Sequence, residues 1–194
     1  MSAVATPEMR LDLSRETLPL LGIAAWSGTG KTTLLENLLP RLKDRGLQVA
    51  VIKHAHHRFD IDQPGKDSHR LREAGAAPML IASRARVALM MNTSERGEPD
   101  LAALIEMLRP LAPDLVLVEG FKQWPLPKLE LYRQEVGKTL RAWEDPWIHA
   151  VASPQSLELP KDVTALRLDD IDAIANWVAT WPERWASRRG PRRV

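Results

Sequence analysis

The 194-residue chain has no cysteine, which excludes a disulfide framework and any cysteine-based zinc site. It also lacks an apolar run approaching the ~20 residues that span a bilayer. Residues 1–19 have no apolar leader core and carry Glu8, Arg10, Asp12, Arg15 and Glu16, so no secretory signal is expected and cytoplasm is the expected compartment. There is little excess charge of either sign. The net charge is only +2, and the surplus behind the pI of about 9.1 sits in Arg184, Arg188, Arg189, Arg192 and Arg193. A short basic terminus of this kind reads as solvated, which argues against nucleic acid as a partner. Aromatics are scarce apart from tryptophan: seven Trp stand against one Tyr and two Phe, a bias the sequence alone does not explain. No internal repeat or low-complexity tract breaks the chain. Its length suits a single domain, with a flexible arm over 1–18, the domain over 19–182 and a basic tail over 183–194.

The informative stretch is Leu20-Leu21-Gly22-Ile23-Ala24-Ala25-Trp26-Ser27-Gly28-Thr29-Gly30-Lys31-Thr32-Thr33. An apolar strand, a glycine-containing turn and Gly-Lys-Thr run straight into a periodic helix, the layout of a phosphate-binding P-loop. Backbone N–H groups of such a turn point inward, the helix adds its positive N-terminus, and Lys31 supplies a mobile charge. Trp26, Ser27, Gly28, Thr29, Gly30, Lys31, Thr32 and Thr33 are therefore the expected nucleotide contacts, with the Thr32 hydroxyl on Mg²⁺. The pattern G-x-x-x-x-G-K-[ST] wants Gly where Ala25 stands, which is tolerable if that position keeps a negative φ.

Residues 32–45 read as a helix with Leu34, Leu35, Leu38, Leu39 and Leu42 on one face, bent at Pro40 and closed by Gly46. Residues 48–53 form a second strand, completing a βαβ unit. A polar loop follows, then a short helix over 67–74 ended by Gly75. Residues 78–82 and 87–91 read as an inserted strand pair. Asp100 is placed to cap a helix that Pro110 ends. Strands are expected over 115–118, 128–132, 148–152 and 164–168, with a helix over 170–181. The alternation predicts an α/β fold, the three-layer P-loop NTPase arrangement with a mainly parallel sheet.

In open α/β sheets ligands sit beyond the carboxyl ends of the strands. That rule sends the P-loop, the loop His54-Ala55-His56-His57-Arg58-Phe59-Asp60-Ile61-Asp62 and Glu119 towards one crevice. Glu119 ends a Leu-Val-Leu-Val run, where an NTPase keeps a metal-directed carboxylate, and it joins Thr32 as the expected Mg²⁺ residue. Asp114, at the other end of that strand, is about 16 Å away at the rise of a β-strand. Asp60 and Asp62 alternate in the loop and would order metal-bound water or position a nucleophilic one, with Lys66 adding charge near the phosphates. The alternative is that these are solvated loop residues. His54, His56 and His57 are open to a metal, a phosphate or a partner. No Asn-Lys-x-Asp segment is present to read guanine, and no Arg-rich lid to close over a phosphoryl donor.

Taken in order, Ala24 to Leu35 around the P-loop, Ile52-Lys53-His54-x-His56-His57, Asp60-x-Asp62-x-Pro64-Gly65-Lys66-Asp67-Ser68 and Leu117-Val118-Glu119-Gly120-Phe121-Lys122 closely resemble the molybdopterin-guanine dinucleotide biosynthesis adaptor family, MobB. The likeness runs from about residue 20 to 153. It implies a GTP-binding protein with Mg²⁺ and weak GTPase activity, homodimeric through the inserted strands, acting beside the guanylyltransferase that joins GMP to molybdopterin. Molybdopterin or its guanine dinucleotide would be a further ligand. The chain departs from the family at Pro154, where Asp often reads the base; Asp162 or a backbone carbonyl would have to substitute. Two other classes stay open: a small-molecule phosphotransferase using the same P-loop, and a binding module that does not depend on nucleotide.

Overall fold

The computed structural model describes residues 11–55, 59–93 and 99–192. His56, His57 and Arg193, singled out above, lie outside the described residues. The chain divides into two compact units, Met1–His54 with Asp100–Val194, and Ala55–Pro99.

The larger unit is built on six strands: β1 (Leu20–Ala25), β2 (Val49–Lys53), then, after the smaller unit's β3 (Met79–Ala82) and β4 (Val87–Met90), β5 (Leu115–Glu119), β6 (Lys128–Leu131), β7 (Ile148–Ser153) and β8 (Thr164–Arg167). Every pairing among the six is parallel, in the order β2-β5-β1-β6-β7-β8. Strands β1, β5, β6 and β7 are buried along their whole length, as the near-continuous apolar composition of β1 and β5 requires in the middle of a parallel sheet. The expected βαβ unit is present, but β5 lies between β1 and β2. Periodicity alone does not reveal such an insertion, because the intruding strand comes some sixty residues later.

Helix α1 (Lys31–Asp44) buries Leu34, Leu35, Leu38 and Leu42 and runs on through Pro40, which sits on its exposed side. It closes where the N–H of Gly46 donates to the Lys43 carbonyl and that of Leu47 to the Leu42 carbonyl. In the smaller unit, helix α2 (Asp67–Glu73) precedes an antiparallel hairpin of β3 (Met79–Ala82) and β4 (Val87–Met90). Back in the larger unit, α3 (Leu101–Leu108) starts under the Asp100 carboxylate, which accepts from the N–H groups of Ala102 and Ala103. Its extension over 109–111 is a 3₁₀ turn containing Pro110.

The termini differ from expectation. The helix expected over 170–181 stops at α4 (Ile171–Ala179), and a further helix, α5 (Trp181–Arg188), occupies the first half of the stretch read as a basic tail. Trp181 and Trp185 are buried, and their indole N–H groups donate to the carbonyls of Leu20 and Glu16 at 2.9 and 3.0 Å. Buried indoles need such acceptors, which gives two of the seven tryptophans a structural reason. The described part of the expected arm, 11–18, is held in turn: Leu13 and Leu18 are buried, and Glu16 pairs with Arg109 at 3.1 Å. Arginines of this segment join the packing: the Arg184 guanidinium lies over the Trp177 and Trp181 rings, and those of Arg189 and Arg192 donate to the carbonyls of Glu16 and Ala142. Among the described residues no helix is long and apolar enough to cross a membrane.

Candidate functional site

The order β5-β1-β6 puts the turn after β1 at the centre of the sheet's carboxyl edge, with the segments after β5 and β6 on either side. Gly28 and Gly30 in that turn have φ of 82° and 96°. Such angles cost an L side chain roughly 1–2 kcal/mol, so glycine is required for the loop to curl back before α1. Ala25, where the motif wants glycine, ends β1 buried beside Leu131 and has no positive φ, so its methyl is accommodated. The loop is fastened from within and from outside. The hydroxyl of Thr29, which is buried, donates to the Trp26 carbonyl at 2.7 Å, and Nε of Arg133 donates to the Thr29 carbonyl at 3.1 Å. Ser27, Gly28, Gly30, Thr32 and Thr33 are exposed, leaving their backbone open to a ligand at the head of α1.

Lys31 is half-buried, and burial holds its ammonium pKa below the ordinary value; Glu119 opposes that shift, while Lys122 and Lys53 reinforce it. Glu119 ends β5 in register with Ile23 and Lys53 and is 8% exposed. Its Oε2 lies 3.3 Å from Nζ of Lys53, so the carboxylate is charge-paired rather than stranded. Directly after it, Gly120 has φ 95°, and a Cβ there would stand 2.7 Å from Cβ and 3.1 Å from the carbonyl oxygen of His54. The N–H of His54 donates to the Glu119 carbonyl at 2.8 Å, and its ring meets Phe121 at 5.2 Å between centroids. Gly120 is thus the close approach that lets the ends of β2 and β5 meet.

Thr32 and Glu119 offer a hydroxyl and a carboxylate, hard oxygen donors suited to a cation that keeps most of its water and takes phosphate oxygens. No cluster of three or more potential metal-ligating acidic, His or Cys residues occurs among the described residues.

Asp60, Asp62 and Lys66 belong to the smaller unit. There both carboxylates are engaged: Asp60 accepts two bonds from Nη2 of Arg72 at 2.7 and 2.8 Å, and Asp62 accepts from the Ser68 hydroxyl at 2.6 Å and from Nε of Arg72 at 3.3 Å. These bonds hold both acids below the ordinary carboxylate pKa. Lys66 is exposed and precedes α2.

The residues that sequence reasoning missed come from β6 itself. Glu130 is fully buried and accepts from the N–H groups of Arg141 and Ala142, both at 2.9 Å; burial pushes its pKa up to about 7. Lys128, also buried, pairs with Asp145 at 3.0 Å. The one available signal was two charged residues alternating in an otherwise apolar strand.

A parallel sheet with a glycine turn and a Gly-Lys-Thr helix start at its central strand defines a P-loop α/β protein. Residues 20–154 match the model of MobB, molybdopterin guanine dinucleotide synthesis protein B. The chain is 45% identical over 168 residues to the molybdopterin-guanine dinucleotide biosynthesis adapter protein of Escherichia coli (strain K12), covering 86% of this chain and 95% of that protein. It is 44% identical over 164 residues to the Haemophilus influenzae adapter protein, covering 84% and 89%. A solved structure of molybdopterin-guanine biosynthesis protein B superposes with a TM-score of 0.64 at 27% identity, over 84% of this chain and 99% of that one. Bacillus subtilis MobB superposes with a TM-score of 0.67 at 24% identity, over 84% and 98%. The chain belongs to the MobB family.

Proposed function

We propose that this protein is an adapter in molybdopterin-guanine dinucleotide biosynthesis whose working ligand is GTP with Mg²⁺. The observation that carries the nucleotide reading is the loop after β1: two glycines at positive φ, exposed backbone at 27–28 and 30, and Lys31 beside Glu119. The adapter role is drawn from the relatives' names, at 44–45% identity over most of both chains.

In this reading the backbone of residues 27–33 cradles the phosphates and Lys31 moves onto the β- and γ-oxygens. Thr32 and Glu119 would hold Mg²⁺, which would supply neutralisation of phosphate charge. For that role the Glu119 carboxylate would have to leave its pairing with Lys53. Asp60, Asp62 and Lys66 are the proposed hydrolytic set, and slow hydrolysis would need a carboxylate freed from Arg72. Molybdopterin or its guanine dinucleotide is the second ligand, and the guanylyltransferase that makes the dinucleotide is the partner.

The proposal includes a homodimer through the β3–β4 hairpin, whose exposed apolar side chains Leu80, Val87, Leu89 and Met91 are 48–68% exposed in the single chain. A titration with GTP and ATP, each with and without Mg²⁺, tests the nucleotide reading. Mg²⁺-dependent binding with preference for GTP is expected; no binding of either nucleotide would overturn it.

A further inference from the structure

Trp26 stands first in the turn after β1 and is held by its indole N–H, which donates to the Thr139 carbonyl at 3.1 Å. Three cations surround its ring: Nζ of Lys122 at 5.6 Å from the centroid, Nζ of Lys138 at 5.8 Å and the guanidinium of Arg141 at 5.8 Å. Lys122 comes from the segment after β5, and Lys138 and Arg141 from the segment after β6, so the charges reach the central loop from both flanks.

None of the three forms an ion pair among the described residues. Other cations of the chain do have carboxylate partners. Arg41 pairs with Asp172 at 2.9 Å, Arg109 with Glu16 and Glu106 at 3.1 and 2.6 Å, Arg167 with Asp169 at 2.6 Å and buried Lys128 with Asp145 at 3.0 Å. Glu130 acts on Arg141 through charge at a distance, without an ion pair. It spends its oxygens on the backbone N–H groups of Arg141 and Ala142 and so anchors the segment that presents Arg141. A cation on an exposed indole gains only about 0.5–1 kcal/mol. Three cations converge there with no carboxylate ion-paired to any of them among the described residues, an arrangement that an anion would complete, in a position next to the P-loop.

We propose that Trp26, Lys122, Lys138 and Arg141 form a second anion site that takes a phosphate dianion beside the one cradled by residues 27–33. The inference rests on the P-loop reading above and adds a further phosphate position to it. Two sources share this chemistry: the terminal phosphate of the bound nucleotide itself, and a phosphate monoester on a separate ligand. Arg141 offers a planar fork for two phosphate oxygens, and the lysines supply point charges.

The test uses the full-length protein and the double variant Lys138→Ala/Arg141→Ala, with Lys161→Ala, an exposed lysine on another loop, as the control for net charge. Calorimetry compares GTP with GDP, both with Mg²⁺, and then titrates inorganic phosphate into protein saturated with GDP and Mg²⁺. A loss of tenfold or more in the double variant, absent from the control, supports the site. If it falls on GTP over GDP, the phosphate is the nucleotide's own; if it falls on inorganic phosphate, it belongs to a separate ligand. Equal affinities in the double variant and the parent for both comparisons would overturn the proposal. Failure of the parent protein to bind any nucleotide would instead overturn the P-loop reading. In that case phosphate titrated without nucleotide decides the cluster: a loss in the double variant supports it and no loss overturns it. Near-UV circular dichroism of the double variant, unchanged from the parent, excludes misfolding as the cause.

Discussion

Replacing Glu130 by Gln should change how stability depends on pH. Glu130 is fully buried in β6, and burial lifts its pKa from the ordinary 4.5 to about 7 against the opposing pull of two backbone N–H groups and Arg141. A folded state that raises a carboxyl pKa binds more protons than the unfolded chain between those two values. Its contribution to stability is therefore fully present below pH 4.5 and is lost as pH rises through 7. A shift of two to three pKa units corresponds to about 3 kcal/mol. Gln carries no charge at either end of this window, but it offers one oxygen where the carboxylate offers two, so it leaves Arg141 or Ala142 facing an NH₂ group. That mismatch costs about 1–3 kcal/mol and is the same at every pH. The difference between variant and parent, measured by urea unfolding at pH 5 and again at pH 8, removes the constant cost. It should move by about 2.5 kcal/mol in favour of Gln at the higher pH. Parallel stability curves across that range would refute the assignment of a buried, proton-sensitive Glu130.

Other consequences follow from single contacts. Gly120→Ala places a methyl 2.7 Å from Cβ of His54 at φ 95°, so it should cost about 2–4 kcal/mol in thermal or urea unfolding and weaken Mg²⁺-dependent nucleotide binding through Glu119. Burial lowers the His149 pKa to about 4, so its contribution is full above 6.5 and is lost as pH falls through 4; His149→Phe should flatten the acid limb of the stability curve. Asp100→Ala removes the acceptor for the Ala102 and Ala103 N–H groups and should destabilise by about 1 kcal/mol in urea unfolding. Leu80→Lys with Leu89→Lys, which face each other across the hairpin, should yield a monomer by light scattering if the proposed dimer uses that surface.

The central elements were legible because each is written in local pattern. Residues 20–25 are an unbroken apolar run, the leucines of α1 keep helical spacing, and Asp100 stands directly before its helix. What escaped depends on residues far apart in the chain. The position of β5 between β1 and β2 is a matter of pairing across more than sixty residues, and no period records it. Trp26 carried a signal for the phosphate loop but none for Lys122, Lys138 and Arg141, which reach it only after the sheet has formed. The arginines of the last segment drew attention to charge, whereas Trp181 and Trp185 between them decide that the segment folds. Asp60 and Asp62 were chosen as paired acids; their partners Ser68 and Arg72 were equally visible in the sequence, at spacings that α2 makes adjacent.

The most direct test of the account is calorimetric titration of GTP with Mg²⁺ into the parent protein and into Lys31→Ala, with circular dichroism of both. The account predicts one nucleotide site per chain in the parent and its loss in a variant that keeps the parent's spectrum. Equal affinity in the two proteins would contradict it.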